Sequence, residues 1–385
     1  MASEYVDRGI PFLRSQNIEP FRIRLDDVKY VRPAFHERLK KCALRPGDVA
    51  VIRTGYPGVA AVIPESLIEA NCADLVVITP SPALDSHYLA SIFNSTWGKS
   101  AVAGNLVGVA QQHFNVGAAR NLEVMLPPIE TQRRIAGILS AYDDLIENCE
   151  RRIRVLDEMA RALYREWFVN FRYPGHENVP LVESAMGRIP KGWSVRPLSE
   201  VVDVNAAQVD TKHPPGRIRY IDISSVSPGS VDAVADLVFA QAPGRARRIV
   251  RHGDVVWSCV RPNRRSHALV LHPDENTVAS TGFAVLSAKS VPFTYLYSAT
   301  TTDEFVSYLE KRATGAAYPA VTGKVFADAP LLVPHATVLP HFEQLTVPLA
   351  EAAATLRCEM EVLRNTRDLL LPRLLSGQLS LEKAA

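Results

Sequence analysis

A chain of 385 residues is too long for one ordinary hydrophobic core and implies two or three domains. Hydrophobic residues make up 47% and charged residues 22%, a globular mixture that excludes wholesale disorder. The net charge of +2, from 43 basic and 41 acidic residues, announces no polyanionic partner, so any such signal must be local. Five cysteines (Cys42, Cys72, Cys149, Cys259, Cys358) with no C-x-x-C pair support neither a zinc ribbon nor a disulfide framework, and fit a reducing cytoplasm. The N-terminus lacks the pattern of a signal peptide, and no run of about 18 apolar residues predicts a membrane span.

In chain order, residues 1–127 read as short strands and turns with some helix. VAVIRTG (49–55) and DLVVITP (74–80) are apolar, β-rich runs bounded by Gly, Pro and Asp, and SHYLASIFNSTWG (86–98) reads as helix. Pro127-Pro128 is a plausible helix entry. From there apolar positions fall at Ile135, Leu139, Tyr142, Ile146, Cys149, Ile153, Leu156, Ala160, Leu163 and Trp167, in steps of 4 and 3. That is a heptad seam and asks for a partner helix. Pro174-Gly175 is expected to end the segment, and Asp143-Asp144 are expected on its solvated face. Residues 173–192, rich in Pro and Gly, read as a linker. The strand-like runs then return as DVVWSCV (254–260) and HALVLH (267–272), followed by helix in FTYLYSATTTDEFVSYLEK (293–311).

These parts repeat. Leu44-Arg45-Pro46-Gly47-Asp48-Val49 matches Val250-Arg251-His252-Gly253-Asp254-Val255, Tyr88-Leu89 matches Tyr295-Leu296, and Pro127 falls on Pro334, all at an offset near 207. So long a period is a duplicated domain, not a solenoid. Carried to the second half, the seam becomes Phe342, Thr346, Leu349, Ala353, Leu356, Met360, Leu363, Arg367, Leu370 and Leu374, and Pro348 should kink this helix or delay its start. The economical arrangement is two helices packed on each other as a spacer of about 50 Å. The second half has a segment, roughly 192–209 with Gly192-Trp193-Ser194-Val195-Arg196-Pro197-Leu198, that the first half lacks. Either the first half is truncated, its start was assigned late, or it is built differently.

No phosphate-binding loop, dinucleotide fingerprint, nucleophile elbow, H-E-x-x-H or Asn-Pro-Pro-aromatic motif is found, and the ten histidines show no ligand spacing. A basic cluster does stand out: seven arginines between Arg245 and Arg265, with Asp254 as the one acidic residue. Guanidinium forks suit phosphate oxygens and the guanine edge, so this cluster points to an anionic partner. Arg245, Arg247, Arg248, Arg261, Asn263 and Arg264 are the candidates there, with Tyr318, Thr322 and Lys324 on a later loop. In the first half the corresponding candidates are Arg14, Gln16, Arg53, Tyr56, Gln111, Gln112, His113 and Asn115, since Gln and Asn can bridge the adenine edge. Two similar scaffolds with different loops imply two different targets.

LPPIETQRRIAGILSAYDDLIENCERRIRVLDEMARALYREWF (126–168) and LRNTRDLLLPRLLSGQL (363–379) resemble the central and C-terminal regions of the specificity subunits of type I restriction–modification systems. GIPFLRSQNI (9–18) and LRPGDVAVIRTG (44–55) resemble the opening of that family's target recognition domains. The resemblance covers almost the whole chain and implies an α+β fold with two similar α/β target recognition domains separated by two long antiparallel coiled-coil helices. The expected parts are target recognition domain 1 (1–127), a central coiled-coil helix (128–172), target recognition domain 2 (173–335), a C-terminal coiled-coil helix (336–377) and a tail (378–385). It further implies a non-catalytic, cytoplasmic subunit that reads a split site in double-stranded DNA, half-sites about one helical turn apart. It would dock methyltransferase subunits and, through them, restriction subunits. S-adenosylmethionine and ATP with Mg would belong to those partners, with no cofactor, metal or membrane for this chain. A coiled-coil scaffold without a DNA role, and a specificity subunit of a methylation-only system, remain alternatives.

Overall fold

The repeated R-x-G-D turn organises both halves. In the computed structural model, which describes residues 2–106 and 113–379, Gly47 and Gly253 hold left-handed φ of 84° and 82°, a region open to glycine at little cost. In each turn the aspartate accepts the amide of the arginine three residues before it: Asp48 from Arg45 at 2.8 Å, Asp254 from Arg251 at 2.7 Å. The buried strands Val49–Ile52 and Asp254–Ser258 leave these turns.

The chain divides into two units, Met1–Glu150 with Cys358–Ala385, and Arg151–Arg357. In the first, one antiparallel sheet has the order Leu75–Ile78, Val49–Ile52, Ala60–Val62. A second runs Tyr5–Val6, Lys29–Val31, Ile10–Leu13, Ala70–Cys72, Ala43–Leu44, with one parallel pair, Ile10–Leu13 beside Ala70–Cys72. The other unit repeats both. Its first sheet is Val202–Val204, Phe283–Ala288, Asp254–Ser258, His267–Val270, and its second is Ala235–Val238, Arg217–Ile221, Thr277–Ser280, Ala246–Ile249. The parallel pair falls at the equivalent place, Arg217–Ile221 beside Thr277–Ser280. The helix pairs repeat as well: Ser86–Asn94 and Thr96–Gly104 against Phe293–Thr300 and Asp303–Glu310. Ser95 and Thr302 cap the second helix of each pair by accepting the amides of Gly98 and Phe305.

The difference between the halves lies where the sequence places it. Val202–Val204 pairs with Phe283–Ala288, and Ser194–Pro197 with Pro330–Val333. Among the described residues no strand covers the equivalent edge of Leu75–Ile78, and 122–126, the counterpart of Pro330–Val333, is not a strand.

The central long helix is Ile129–Tyr164, entered just after Pro128 as expected. Its stop lies before Pro174-Gly175, which corrects the sequence reading. A π-helical turn, Arg165–Val169, follows, and Phe171 at φ 58° reverses the backbone. The C-terminal long helix is Val338–Leu375. It begins ten residues before Pro348 and runs on through it, so the expected delay does not occur. A proline inside a helix removes one hydrogen bond, and burial of Phe342, Thr346, Ala353 and Leu356 around it outweighs that loss.

Every seam position named above is buried or half-buried. In the first unit the helices pair antiparallel: Arg367 bonds to Asp143 at 2.6 Å and Arg364 to Glu150 at 2.9 Å, while Ile135 and Leu139 pack with Leu371 and Leu374. Asp143 is therefore not a solvated-face charge. Burial raises its pKa and Arg367 opposes that rise. The polar seam residue Arg367 also lies over the Phe21 ring at 4.8 Å. In the second unit Arg357 reaches Asp157 at 3.3 Å, and Trp167 packs on Phe342 at a ring separation of 5.8 Å. Segment 173–192 is more than a linker: Leu181–Ser184 and Gly187–Pro190 form a hairpin, and Tyr173 and Ile189, with Trp193 just after the segment, are core residues. Apolar side chains bounded by Pro and Gly were enough to fold it onto the domain. Among the described residues no helix is long and apolar enough to cross a membrane.

Burial also creates a titrating weakness in the second unit. The His267 ring lies 4.8 Å from that of Trp257. Burial, followed by the Arg161 and Arg265 charges, lowers its pKa from 6.5 to about 4. The unfolded chain takes up this proton below about pH 6.5 and the native state does not. Stability is thus fully present above pH 6.5 and declines as the pH falls toward 4. The variant His267→Phe keeps a ring at this position and should lose that part of the slope. Urea midpoints of both proteins between pH 7 and pH 4.5 check this, and parallel slopes would contradict it.

Candidate nucleic-acid interface

The second unit builds its basic site where the strand Asp254–Ser258 ends. Arg261 and Arg265 both take left-handed φ, 53° and 55°, on either side of the turn Pro262–Arg264. Non-glycine residues adopt this region rarely, and such strain gathers at functional loops. The Arg261 amide donates to the Pro319 carbonyl at 2.7 Å, and the Val321 amide donates to the Cys259 carbonyl at 2.9 Å. The two loops are thereby laced together. Across that lacing the Arg261 guanidinium lies over the exposed Tyr318 ring at 4.4 Å and reaches the Ala317 carbonyl at 3.3 Å. Arg261, Arg264 and Tyr318, with Asp222 and Ser224, line one open groove of about 500 Å³.

The seven-arginine cluster does not act as one patch. Arg245 donates to Asp222 at 2.6 Å and to the Tyr220 hydroxyl at 3.1 Å. Burial pushes Asp222 up, but the Ser224 amide and hydroxyl, Tyr220 and Arg245 outweigh it and bring the carboxyl to about 2. Asp222 is thus a fixed anion whose oxygens are already taken. Arg265 is held by Asp303. Arg247 stacks on Phe239 at 4.9 Å and donates to the Ala246 carbonyl at 2.8 Å. Arg248, next to it on the strand Ala246–Ile249, is half-buried, and its Nε has no partner among the described residues. Asn263 and Arg264 are exposed. Thr322 and Lys324 are exposed at the start of the short helix Gly323–Ala327, two and four residues beyond the bridge that Ala320 makes with Val260 and Thr314.

The first unit gathers its candidates at the equivalent end of its sheets. Arg53 follows Val49–Ile52, and its amide donates to the Asp74 carbonyl at 3.2 Å. Its own carbonyl accepts the Phe114 amide at 3.0 Å, so His113 and Asn115 lie beside this loop. Tyr56, 79% exposed, stands at the loop tip. Asn115 spends its side-chain oxygen on the Ala118 amide at 2.8 Å as a helix cap, which leaves its amide nitrogen for other work. Arg14 precedes the turn Ser15–Asn17 and Gln16 lies within it, and both turn to Asp27: Arg14 to its carbonyl at 3.2 Å, Gln16 to its carboxylate at 2.8 Å. The Ser15 hydroxyl meets Asp74 at 3.4 Å, which ties this turn to the Arg53 loop. Gln111 and Gln112 lie outside the described residues.

Sequence reasoning missed the acidic partners Asp27, Asp222 and Asp303. They lie 11–38 residues from the side chains they hold, and no local spacing marks them; only Asp222-Ile223-Ser224 carries a signal, that of an Asx turn.

Comparison with known proteins agrees with this architecture. Residues 9–158 match the family model described as the type I restriction modification DNA specificity domain. The type I restriction enzyme MjaIX specificity subunit of Methanocaldococcus jannaschii is 22% identical over 387 residues, covering 99% of this chain and 89% of that protein. The MjaVIII specificity subunit of the same organism is 23% identical over 270 residues, 68% of this chain and 61% of that one. The crystal structure of the S subunit of a type I restriction–modification system from M. genitalium shares the fold. Its TM-score is 0.58 at 13% identity, over 97% of this chain and 91% of that one. The duplicated α/β scaffold and the paired long helices agree with these matches: the chain is similar over nearly its whole length to a specificity subunit of a type I restriction enzyme, and its residues 9–158 match that family's DNA specificity domain.

Proposed function

We propose that this chain reads a bipartite target in double-stranded DNA, one half-site for each globular unit, and docks methyltransferase subunits and through them restriction subunits. The observation that carries the reading is the repeated scaffold with dissimilar loops: the same sheet order in both units presents Arg261, Arg264 and Tyr318 in one and Arg53, Tyr56 and His113 in the other. Guanidinium groups and backbone amides at loop ends meet phosphate oxygens and set the register. Arg264, exposed at the groove, is free to fork onto a guanine edge, and the Arg261–Tyr318 pair offers a flat cationic surface to the sugar–phosphate wall. Asp222 fixes Arg245 electrostatically and keeps the groove from being uniformly basic, which favours a defined docking over general attraction to DNA.

On this reading the chain contributes recognition and no bond chemistry. S-adenosylmethionine serves the methyltransferase partner, and ATP with Mg the restriction partner. The helices supply apolar side chains for docking: Leu145, Val155, Met159, Val362 and Leu369 are exposed on them.

The test is methylome sequencing of the source cell with and without the gene. Deletion should abolish one split, asymmetric methyladenine motif. The reading fails if every modified motif survives the deletion and the chain, expressed with its methyltransferase in a naive host, confers none.

A further inference from the structure

The second unit also carries a side-chain cluster that DNA reading does not use. His252 stands in the Arg251–Asp254 turn, His272 lies two residues past the strand His267–Val270, and Glu351 projects from the C-terminal long helix. One ligand atom from each lies within 4.8 Å of the other two. His272 Nε2 is 2.7 Å from Glu351 Oε2, His252 Nε2 is 4.0 Å from Glu351 Oε1, and the imidazole centroids are 4.6 Å apart. His272 holds a left-handed φ of 47°, a conformation that a non-glycine residue keeps only where its surroundings impose it. All three side chains are in contact with solvent, so an ion has a path to them.

We propose that His252, His272 and Glu351 form a zinc site with a fourth position open to water. Two imidazoles and a carboxylate are ordinary zinc donors, at about 2.0–2.2 Å from the metal in a tetrahedron. That geometry needs the donor atoms roughly 3.3 Å apart, so small side-chain rotations bring these three into place. A simple His272–Glu351 ion pair does not account for the second imidazole. One divalent cation instead satisfies both rings and the carboxylate together. Zinc on His252 Nε2 places the ring proton on Nδ1 and gives up the long 3.3 Å contact from the His272 amide, for which three metal bonds substitute. The ion would pin a turn and a loop of the second unit to the helix that carries Glu351. The equivalent of His252 in the first half is Pro46, so the clamp belongs to this unit alone.

The experiment is zinc titration of the chelator-treated, tag-free full-length chain by calorimetry, with thermal melts in parallel. One zinc should bind per chain. Tm should rise on the order of 5 °C at a hundredfold free excess over Kd. The double variant His252→Ala/His272→Ala should lose both effects, and Glu351→Gln should weaken binding at least tenfold. Circular dichroism of the metal-free variants checks that they fold. Absence of saturable binding to the parent chain, or binding that survives in the folded double variant, overturns the site.

Discussion

Replacing Arg261 and Arg264 together with alanine will cut binding to the cognate duplex by at least tenfold while leaving the fold intact. Arg264 is exposed, and Arg261 is anchored by one long carbonyl contact and its stack on Tyr318, so neither is needed by the core. A side chain forked to a guanine is worth about 1–3 kcal/mol, and removing one cation from a phosphate lowers the salt slope of binding by about one. The two roles separate in the measurement. A variant that no longer neutralises a phosphate binds all sequences more weakly and shows a flatter salt dependence. A variant that no longer reads a base binds the cognate duplex more weakly and relaxes one position of the motif. Titration of the complex with its methyltransferase on cognate and scrambled duplexes, between about 50 and 200 mM salt, reads both. Unchanged affinity and unchanged slope would remove this loop from the interface.

The largest effect on stability is expected from Phe342→Ala, at about 3–5 kcal/mol. Phe342 is 0% exposed. It meets Phe168 edge to face at 4.9 Å, Trp167 at 5.8 Å, Tyr295 at 6.3 Å and Tyr164 at 6.4 Å. The cluster joins the end of the central long helix, the start of the C-terminal one and the helix Phe293–Thr300. Truncation empties the middle of it, and such aromatic pairs add to the cost beyond buried area. Val362→Ala, on an exposed part of the same helix, should stay within about 0.5 kcal/mol. Urea denaturation monitored by tryptophan fluorescence distinguishes them, and equal midpoints for the two variants would refute the role given to this cluster.

The sequence by itself determined the periodic and the repeated features. The heptad spacing from Ile135 to Trp167 was enough to orient a whole helix face, because helical geometry converts a spacing of 3 and 4 into one buried stripe. The same spacing at the 207-residue offset identified the second helix, and the R-x-G-D turns identified the duplicated scaffold. The missing counterpart of 192–209 was legible as an alignment gap and returned as the absence of a paired strand beside Leu75–Ile78 among the described residues. The helix ends were not legible. Pro174-Gly175 looked like the stop, but the chain had already turned at Phe171, and Pro348 looked disruptive where packing on both sides carried the helix through. The sites were legible as residue types alone. That Arg261 lies on Tyr318, that Arg245 and Arg265 are neutralised by Asp222 and Asp303, and that two histidines meet one glutamate are decisions of the tertiary structure. The physical reason is range. Helix and turn preferences act over a few residues and are written locally, whereas ion pairs and ligand sets form between loops tens of residues apart, whose approach is fixed only when the sheets are assembled.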